Sequence, residues 1–425
     1  MQPLTGDEEG VRRMASTADK RAIVVAGGGA AGLSAGLALR QAVGKRYPVI
    51  VYDPALAREP LHEKGRAYAL AEGSRRMLSV LGVWEHIVAD TQPIERMSIT
   101  DSRLGDVVRQ PLLTFDEDAG AHEPLAHMVE GDILVTALRE ACKQAGVALE
   151  PTAITGLQIS SPTSPVQVSL ANGAECAALF VVAADGKNSP LRRKAGISWI
   201  GRPYCQSGIV ATIGHERPHE GVAVQHFLPA GTFAMLPLTG NRSSIVWVEA
   251  EDDAKTLVTL DADDIIREIE RRFGASLGAL TLLDAPRAFP LARGVARRLV
   301  GDRLALVGDA AHVVHPLAGL GLNVGLRDVA ALAEAVADTV RLGLDPSGAD
   351  TLEAYERARR FDVVSTGLAM DSMNRLFSND ILPLRLVRDF GLGVVDRFPG
   401  LKRLLKREAA GLTGSPPRLM RGEML

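Results

Sequence analysis

Cysteine is scarce in this chain, and neither sign of charge dominates it. The three cysteines, Cys142, Cys176 and Cys205, form no CxxC pair and cannot all pair with one another. This excludes a disulfide framework and a thiolate metal site, and we expect a reducing, cytoplasmic compartment. The net charge of −3 lacks the basic excess of a nucleic-acid-binding domain, so no nucleic-acid partner is expected.

The stretch that most resembles a membrane span is residues 22–39, eighteen residues without a charge. Its length alone would allow a membrane helix or a signal peptide. Three consecutive glycines interrupt it after a five-residue β-prone run, so the pattern predicts a strand, a tight turn and a helix instead. The chain as a whole is 425 residues long, 46% hydrophobic and 23% charged, which is typical of a soluble protein with two or three domains.

The first motif is the G-x-G-x-x-G formed by Gly27, Gly29 and Gly32 directly after the predicted strand. The first glycine allows the turn, the second lets a pyrophosphate approach the backbone, and the third lets helix and strand pack closely. Asp53 ends the next predicted strand, where an acid can accept hydrogen bonds from a ribose hydroxyl. These residues predict dinucleotide binding, and they fit FAD and NAD equally well.

Two further turns follow predicted buried strands. Asp185 and Gly186 end the strand at 177–186, and Gly308 and Asp309 end the strand at 303–309. The Asp-Gly pair alone is common in ordinary turns. The acid at 309 can either cap the following segment or accept a ribityl hydroxyl.

Three glycines then precede a long apolar helix pattern at Gly319, Gly321 and Gly325. Backbone without side chains suits a place where a flat ring lies against the chain. The N-terminus of the following helix would stabilise the anion of a reduced flavin by about 0.3–2 kcal/mol. Asp309, His312 and His315 could together bind a metal, but the proline at 316 interrupts a helix there, so we expect no metal.

These three signals, in this order, resemble the group A flavoprotein monooxygenases, the family of para-hydroxybenzoate hydroxylase. The segments 65–87, 315–332 and 374–414 resemble the subfamily of ubiquinone-biosynthesis hydroxylases. The resemblance implies an α/β fold with a Rossmann-type FAD domain, a β-rich substrate domain and a helical C-terminal region. Its implied division is a flexible tail at 1–20, an FAD domain at 21–95, 129–200 and 290–345, a substrate domain at 96–128 and 201–289, and helices at 346–425.

The resemblance also assigns roles to residues. The pyrophosphate would lie on Gly27, Gly29 and Gly32, the adenosine ribose on Asp53, and the ribityl chain on Asp309, with Arg66 near the cofactor. The remaining residues of the implied cofactor site are Ala30, Ala31, Asp185, Gly186, Gly308, Pro316, Gly319, Leu320, Gly321, Leu322 and Asn323. Asp53 and Leu320 depart from the family, which usually has Glu and Gln there, and Leu320 would make the pocket more apolar.

The activity implied by the resemblance is hydroxylation of a polyprenyl phenol on the way to ubiquinone, with molecular oxygen as co-substrate. FAD, reduced by NADH or NADPH, would carry the oxygen as a C4a-hydroperoxide; no catalytic side chain can be named. The alternatives are a flavin hydroxylase of a soluble phenolic compound, a prenyl-chain reductase, and a non-catalytic FAD- or lipid-binding subunit of a biosynthetic complex.

The C-terminal region suggests where such an enzyme would work. Residues 381–407 hold seven basic and two acidic residues, with apolar residues between them. Such a segment can lie on an anionic membrane surface, so we expect peripheral contact with the inner face of the cytoplasmic membrane. The alternative is a packed helix with a solvated basic face.

Overall fold

The computed structural model describes residues 21–59, 65–101, 111, 113–115, 124–161, 164–228, 230–314, 319, 321–377 and 414–425. The predicted tail at 1–20 and the basic segment at 381–407 lie outside these ranges. The strands, in chain order, are β1 Ala22–Ala26, β2 Val49–Tyr52, β3 Ala67–Leu70, β4 Gln92–Ile94, β5 Arg96–Asp101, β6 Leu113–Phe115, β7 Ala126–Glu130, β8 Ala148–Glu150, β9 Ile154–Gln158, β10 Val166–Leu170, β11 Glu175–Ala183, β12 Trp199–His215, β13 Val222–Leu228, β14 Gly231–Leu238, β15 Arg242–Ala250, β16 Leu280–Leu282, β17 Arg287–Ala296, β18 Val300–Gly301, β19 Leu304–Leu306 and β20 His312–Val313.

Ten α-helices lie in the described ranges. They are α1 Ala30–Val43, α2 Glu72–Val80, α3 Trp84–Ile87, α4 Gly131–Ala145, α5 Pro190–Lys194, α6 Glu251–Leu257, α7 Ala262–Phe273, α8 Gly321–Arg341, α9 Ala349–Phe377 and α10 Arg418–Arg421. None of the helices in the described ranges is long and apolar enough to cross a membrane. The uncharged stretch at 22–39 forms β1, a turn and most of α1.

The first sheet has the order β18-β19-β11-β1-β2-β8, and β19, β11, β1, β2 and β8 run parallel to one another. Its central strand β1 is apolar and fully buried, as expected where helices cover both faces. Helix α1 packs against α4 and α8 beside it. This is the Rossmann-type architecture that the resemblance implies, and it begins with the strand, turn, helix and strand predicted up to Asp53.

The second sheet is mostly antiparallel, with the order β20-β17-β12-β15-β14-β13-β5-β6. Strand β12 is 17 residues long and pairs with β17 along much of its length. One face of this sheet packs against α6 and α7 in a separate apolar cluster. The β-rich segment at 201–289 is therefore part of a separate sheet, which also includes β5 and β6 from earlier in the chain.

A third, small sheet of β3, β7 and β4 lies between the two larger ones, and its apolar side chains pack against those of β13 and β14. Helix α10 packs on the core of the first sheet, because its Leu419 and Met420 are buried against α2 and α8. Residues 414–425 are thus held in the same core as β1 and α1.

Candidate cofactor and substrate site

Four parallel strands end at one edge of the first sheet, and each predicted motif follows one of them. In sheet order the strands are β19, β11, β1 and β2. The Gly27 N–H donates to Tyr52 O (2.9 Å), the Ala184 N–H to Ala26 O (2.8 Å) and the Val307 N–H to Ala183 O (3.0 Å). Three strand spacings span about 14 Å, so the motifs together form a row suited to an elongated ligand.

The glycines of the first motif are required for different reasons. Gly27 has a φ of +119°, and a Cβ there would lie 2.2 Å from Ala184 O. A Cβ on Gly32 would lie 1.9 Å from Gly27 O. A Cβ on Gly29, by contrast, would meet nothing within 4 Å. The first and third glycines thus close the turn, and the second faces open space where a ligand can approach the backbone.

The N-terminus of α1 is open to an anion. Its N-cap is Gly29, no side chain caps the first turn, and that turn contains no acid. The backbone N–H groups at the start of a helix, including those of Ala30 and Ala31, have no partner within the helix and carry the positive end of its dipole. A pyrophosphate at this position would be bound by these groups.

Asp53 lies beside this loop and shapes it. Its Oδ2 accepts the Gly28 N–H at 2.6 Å, and its Oδ1 accepts the Ala55 N–H at 2.7 Å. The carboxylate therefore joins the glycine loop to the end of β2. Each oxygen keeps a second lone pair, which a ribose hydroxyl can use.

The Asp185-Gly186 turn is connected to the Gly308 turn by a buried arginine. Asp185 Oδ2 accepts the Leu191 N–H at 3.2 Å, and Oδ1 is buried without a hydrogen bond. Burial raises the pKa of Asp185, although the Leu191 N–H and the charge of Arg192 oppose the rise. Arg192 donates to Ala310 O (2.8 Å) and Lys187 O (2.9 Å) and stacks on Trp199 with its Cζ 4.1 Å from the ring centroid.

Asp309 lies at the open end of the row. Its side chain is exposed, yet the surrounding protein raises its pKa by desolvation, and the charges of His312, Arg66 and Lys187 oppose that rise. Arg66 is exposed as well, and its Cζ lies 6.0 Å from the Tyr68 ring centroid. Asp309 and Arg66 are therefore near neighbours at the mouth of the site.

The three glycines at the start of α8 have different surroundings. Gly319 has a φ of +64°, and a Cβ on Gly321 would meet nothing within 4 Å. A Cβ on Gly325 would lie 3.1 Å from the Gly308 Cα. The helix start thus carries one turn glycine, one that faces open space, and one that permits close contact with the Gly308 turn.

Asn323 fixes the start of α8 against β3. Its Nδ2 donates to Ala69 O at 2.7 Å, and its Oδ1 accepts the Ala71 N–H at 2.9 Å. The side chain is therefore committed to backbone, and its predicted contact with a flavin would come through the helix start that it holds. Leu322 is half-buried on the same turn. Pro316 and Leu320 lie outside the described residues, so their predicted roles stay predictions.

An apolar surface extends from this site along the second sheet. Phe289 is 43% exposed, and its ring centroid lies 5.8 Å from the Arg66 Cζ. It pairs with Gly208 on β12, and two residues further along Val210 pairs with Val246. Paired residues share a face, and this face is opposite the one covered by α6 and α7. The half-buried apolar residues on it, such as Val210 and Val246, could form one wall of a substrate chamber.

Two buried polar residues of the site were not predicted: Arg192 as the link between two turns, and Asp328 behind the Gly308 turn. His312, which the sequence offered as a possible metal ligand, lies beside Asp328. His312 Nε2 lies 2.6 Å from Asp328 Oδ2. Among the described residues, no three His, Cys, Asp or Glu side chains are grouped as metal ligands would be. An elongated, anionic flavin dinucleotide fits these surroundings. The start of α1 is uncapped, Asp185 Oδ1 has no hydrogen bond, and there is open space at Gly29 and Gly321.

Comparisons with known proteins agree with this geometry. Residues 20–365 match the family described as FAD binding domain. The chain is 41% identical over 414 residues to the ubiquinone hydroxylase UbiL of Rhodospirillum rubrum, covering 96% of this chain and 94% of that one. It is 33% identical over 394 residues to the 3-demethoxyubiquinol 3-hydroxylase of Escherichia coli, covering 92% and 98%. The solved structure of p-nitrophenol 4-monooxygenase PnpA from Pseudomonas putida superposes with a TM-score of 0.75 at 18% identity, covering 93% and 98%.

The family match and the relatives together identify an FAD-dependent aromatic monooxygenase, and the fold agrees with this class. Within that class, the chain belongs to the FAD-binding family that includes the ubiquinone-biosynthesis hydroxylases. The fold class and family predicted from the sequence motifs are confirmed, and so is the FAD cofactor.

Proposed function

We propose that the protein hydroxylates the aromatic ring of a polyprenyl phenol in ubiquinone biosynthesis. The observation that carries this proposal is the 41% identity over almost the whole length to a ubiquinone hydroxylase. The apolar face that begins at Phe289 supports it, because a prenyl chain needs an apolar surface rather than a charged anchor. When bound, FAD supplies the redox chemistry that activates oxygen.

The chain's own residues would bind and orient the reactants. The α1 start holds the pyrophosphate, Asp53 the ribose and Asp309 the ribityl chain, while the Gly321 end of α8 lies where a flavin ring would be. Sheet β12–β15 excludes water from the reacting ring on the side that carries Val210 and Val246. We propose NADH or NADPH as the electron donor.

A hydroxylase of a soluble phenolic compound is the second candidate, and one observation favours it. Arg287 pairs with Val210 on the apolar face and is exposed, so a cation is present at the rim of that face. A phenolic acid would use Arg287 as its anchor.

The deciding experiment compares substrates on the purified, FAD-loaded enzyme. We expect NAD(P)H oxidation coupled to a hydroxylated product, identified by mass spectrometry, with a prenylated phenol but not with a soluble phenolic acid. Arg287→Gln should leave the prenylated reaction unchanged. Turnover of the phenolic acid that Arg287→Gln abolishes would support the second candidate instead. Binding of FAD without turnover of either substrate would support a non-catalytic subunit.

We also propose a cytoplasmic location with peripheral contact at the membrane, because a polyprenyl substrate resides in lipid. The basic segment 381–407 would make that contact. Its test is charge reversal rather than truncation, because a truncation would remove the buried Leu419 and Met420. Lys402→Glu with Arg403→Glu should abolish sedimentation with anionic vesicles, whereas the exposed pair Lys45→Glu with Lys194→Glu should not; equal sedimentation of both variants would refute the contact.

A further inference from the structure

A buried carboxylate connects the two elements that face the flavin site. Asp328, on the second turn of α8, has no solvent exposure. Its Oδ2 accepts the Gly308 N–H at 3.0 Å and lies 2.6 Å from His312 Nε2, and its Oδ1 accepts the Arg359 Nε–H at 2.8 Å. One side chain thus holds the turn that carries Asp309 to the helix whose start faces the same site.

Arg359 balances this charge from α9. It is 2% exposed and also donates to Asp362 Oδ2 at 2.5 Å, which itself lies 3.1 Å from Arg327 Nε. Burial would raise the pKa of Asp328, but His312 and Arg359 outweigh it and hold the pKa below the ordinary value. Asp328 is therefore a carboxylate at neutral pH.

The position of the contact argues for more than general stability. Gly308 has a φ of +58°, and a Cβ on Gly325 would lie 3.1 Å from its Cα, so turn and helix already touch. The hydrogen bond from the Gly308 N–H to Asp328 fixes the position of the turn along the axis of α8. A shift there moves the next residue, Asp309, relative to the helix start at Gly321.

We propose that Asp328 is a positioning residue for FAD, which holds the Gly308–Asp309 turn in register with the start of α8 and is itself held by Arg359. The proposal requires FAD binding but does not depend on which phenol the enzyme hydroxylates. It is therefore tested without substrate or reductant, and its failure is distinguishable from failure of the proposed function.

The test measures FAD affinity of the apoprotein by quenching of flavin fluorescence. Asp328→Asn keeps the shape of the side chain but replaces one carboxylate oxygen by an N–H₂ group. That group cannot accept a hydrogen bond, so a buried donor that now bonds to Asp328 is left unpaired. We expect FAD to bind about tenfold or more weakly, with a cooperative unfolding transition retained. Arg359→Met should also weaken FAD binding, although Arg359 does not contact the turn. In the double variant, the loss of FAD-binding free energy should be smaller than the sum of the losses in the two single variants.

The matched control is Arg272→Met on α7, which packs against the second sheet. Arg272 is equally buried and ion-paired, 3.0 Å from Glu249 and stacked on Trp247, but it belongs to a different apolar cluster. It should lose stability and keep FAD affinity within about twofold. Unchanged FAD affinity in folded Asp328→Asn, or an equal loss in Arg272→Met, would overturn the proposal.

If Asp328→Asn does not fold, His312→Leu takes its place, because leucine has no hydrogen-bond donor. This variant removes one of the two bonds to Oδ2 and leaves Asp328 paired with Arg359 and Gly308. We expect an intermediate loss of FAD affinity, about threefold. Parent-like affinity in this folded variant would likewise overturn the proposal.

Discussion

At the scale of single residues, the glycines of the first motif have two different roles, which are folding of the turn and access of a ligand to the backbone. Gly32 has no room for a Cβ, whereas Gly29 has open space and an ordinary φ of −79°. The first is needed to fold the turn, and the second is needed only when a ligand approaches. The two roles can be measured independently in the apoprotein and in the FAD complex.

Gly32→Ala should therefore destabilise the apoprotein, because the new Cβ meets Gly27 O at 1.9 Å. We expect a loss of about 3 kcal/mol or more in the free energy of unfolding, measured by urea denaturation. Gly29→Ala should leave that free energy unchanged and weaken FAD binding about tenfold. Equal behaviour of the two variants would show that the assigned roles are wrong.

The residues that sequence reasoning missed share one property, which is that their partners are distant along the chain. The Asp328 partner Arg359 lies on the next helix, and Arg192 bonds to Ala310. The available signal for Asp328 was an acid close to the apolar residues Leu326 and Val329 of an amphipathic helix. Glycine motifs were predictable because their spacing is local, while these pairings depend on how helices pack.

Arg192 connects two turns, and its removal tests that link. Arg192→Met would leave Ala310 O and Lys187 O without their donor and remove the stacking on Trp199. We expect a loss of about 2–4 kcal/mol in the free energy of unfolding. The neighbouring exposed Lys194→Met is the control and should change it by less than about 0.5 kcal/mol. A small effect at both positions would mean that water replaces the arginine.

At the scale of elements, the strands and helices around the motifs were predictable from the sequence. The pairing of distant strands into sheets was not. The sequence at 131–145 has a helical pattern and forms α4. Four short, partly alternating apolar runs between 207 and 250 indicate strands, and they form β12 to β15. The small sheet of β3, β7 and β4 was not predicted, because its strands are three to five residues long and pair across distant segments. Nor did the sequence indicate that β12 extends back to Trp199, since glycine and proline interrupt that run.

The C-terminal helix α10 makes a prediction at this scale. Leu419 has no solvent exposure, and Arg418 binds Glu334 and Asp338 of α8. Leu419→Ala should cost about 2–5 kcal/mol of unfolding free energy, measured by urea denaturation, whereas the exposed Met424→Ala should cost almost nothing. A negligible effect of Leu419→Ala would show that residues 414–425 are detached from the core in solution.

At the scale of the whole molecule, the cofactor site draws on segments nearly 300 residues apart. Gly27, Asp53, Asp185 and Gly308 follow different strands, so they come together only when the first sheet is complete. A ligand that contacts all of them binds the native chain and not the unfolded one. Binding free energy is then added to folding free energy, and stability becomes a measure of how much of the row a ligand occupies.

Thermal unfolding should therefore report FAD binding directly. At a free FAD concentration of one hundred times Kd, the gain is about 2.7 kcal/mol, or roughly 3 °C in Tm for a chain of this length. Riboflavin lacks the pyrophosphate and adenosine, so it can contact the Gly308 turn but not the start of α1. At equal concentration it should raise Tm by clearly less. An equal rise with riboflavin would mean that the glycine loop contributes nothing to binding, and no rise with FAD would contradict the row of strand ends as the cofactor site.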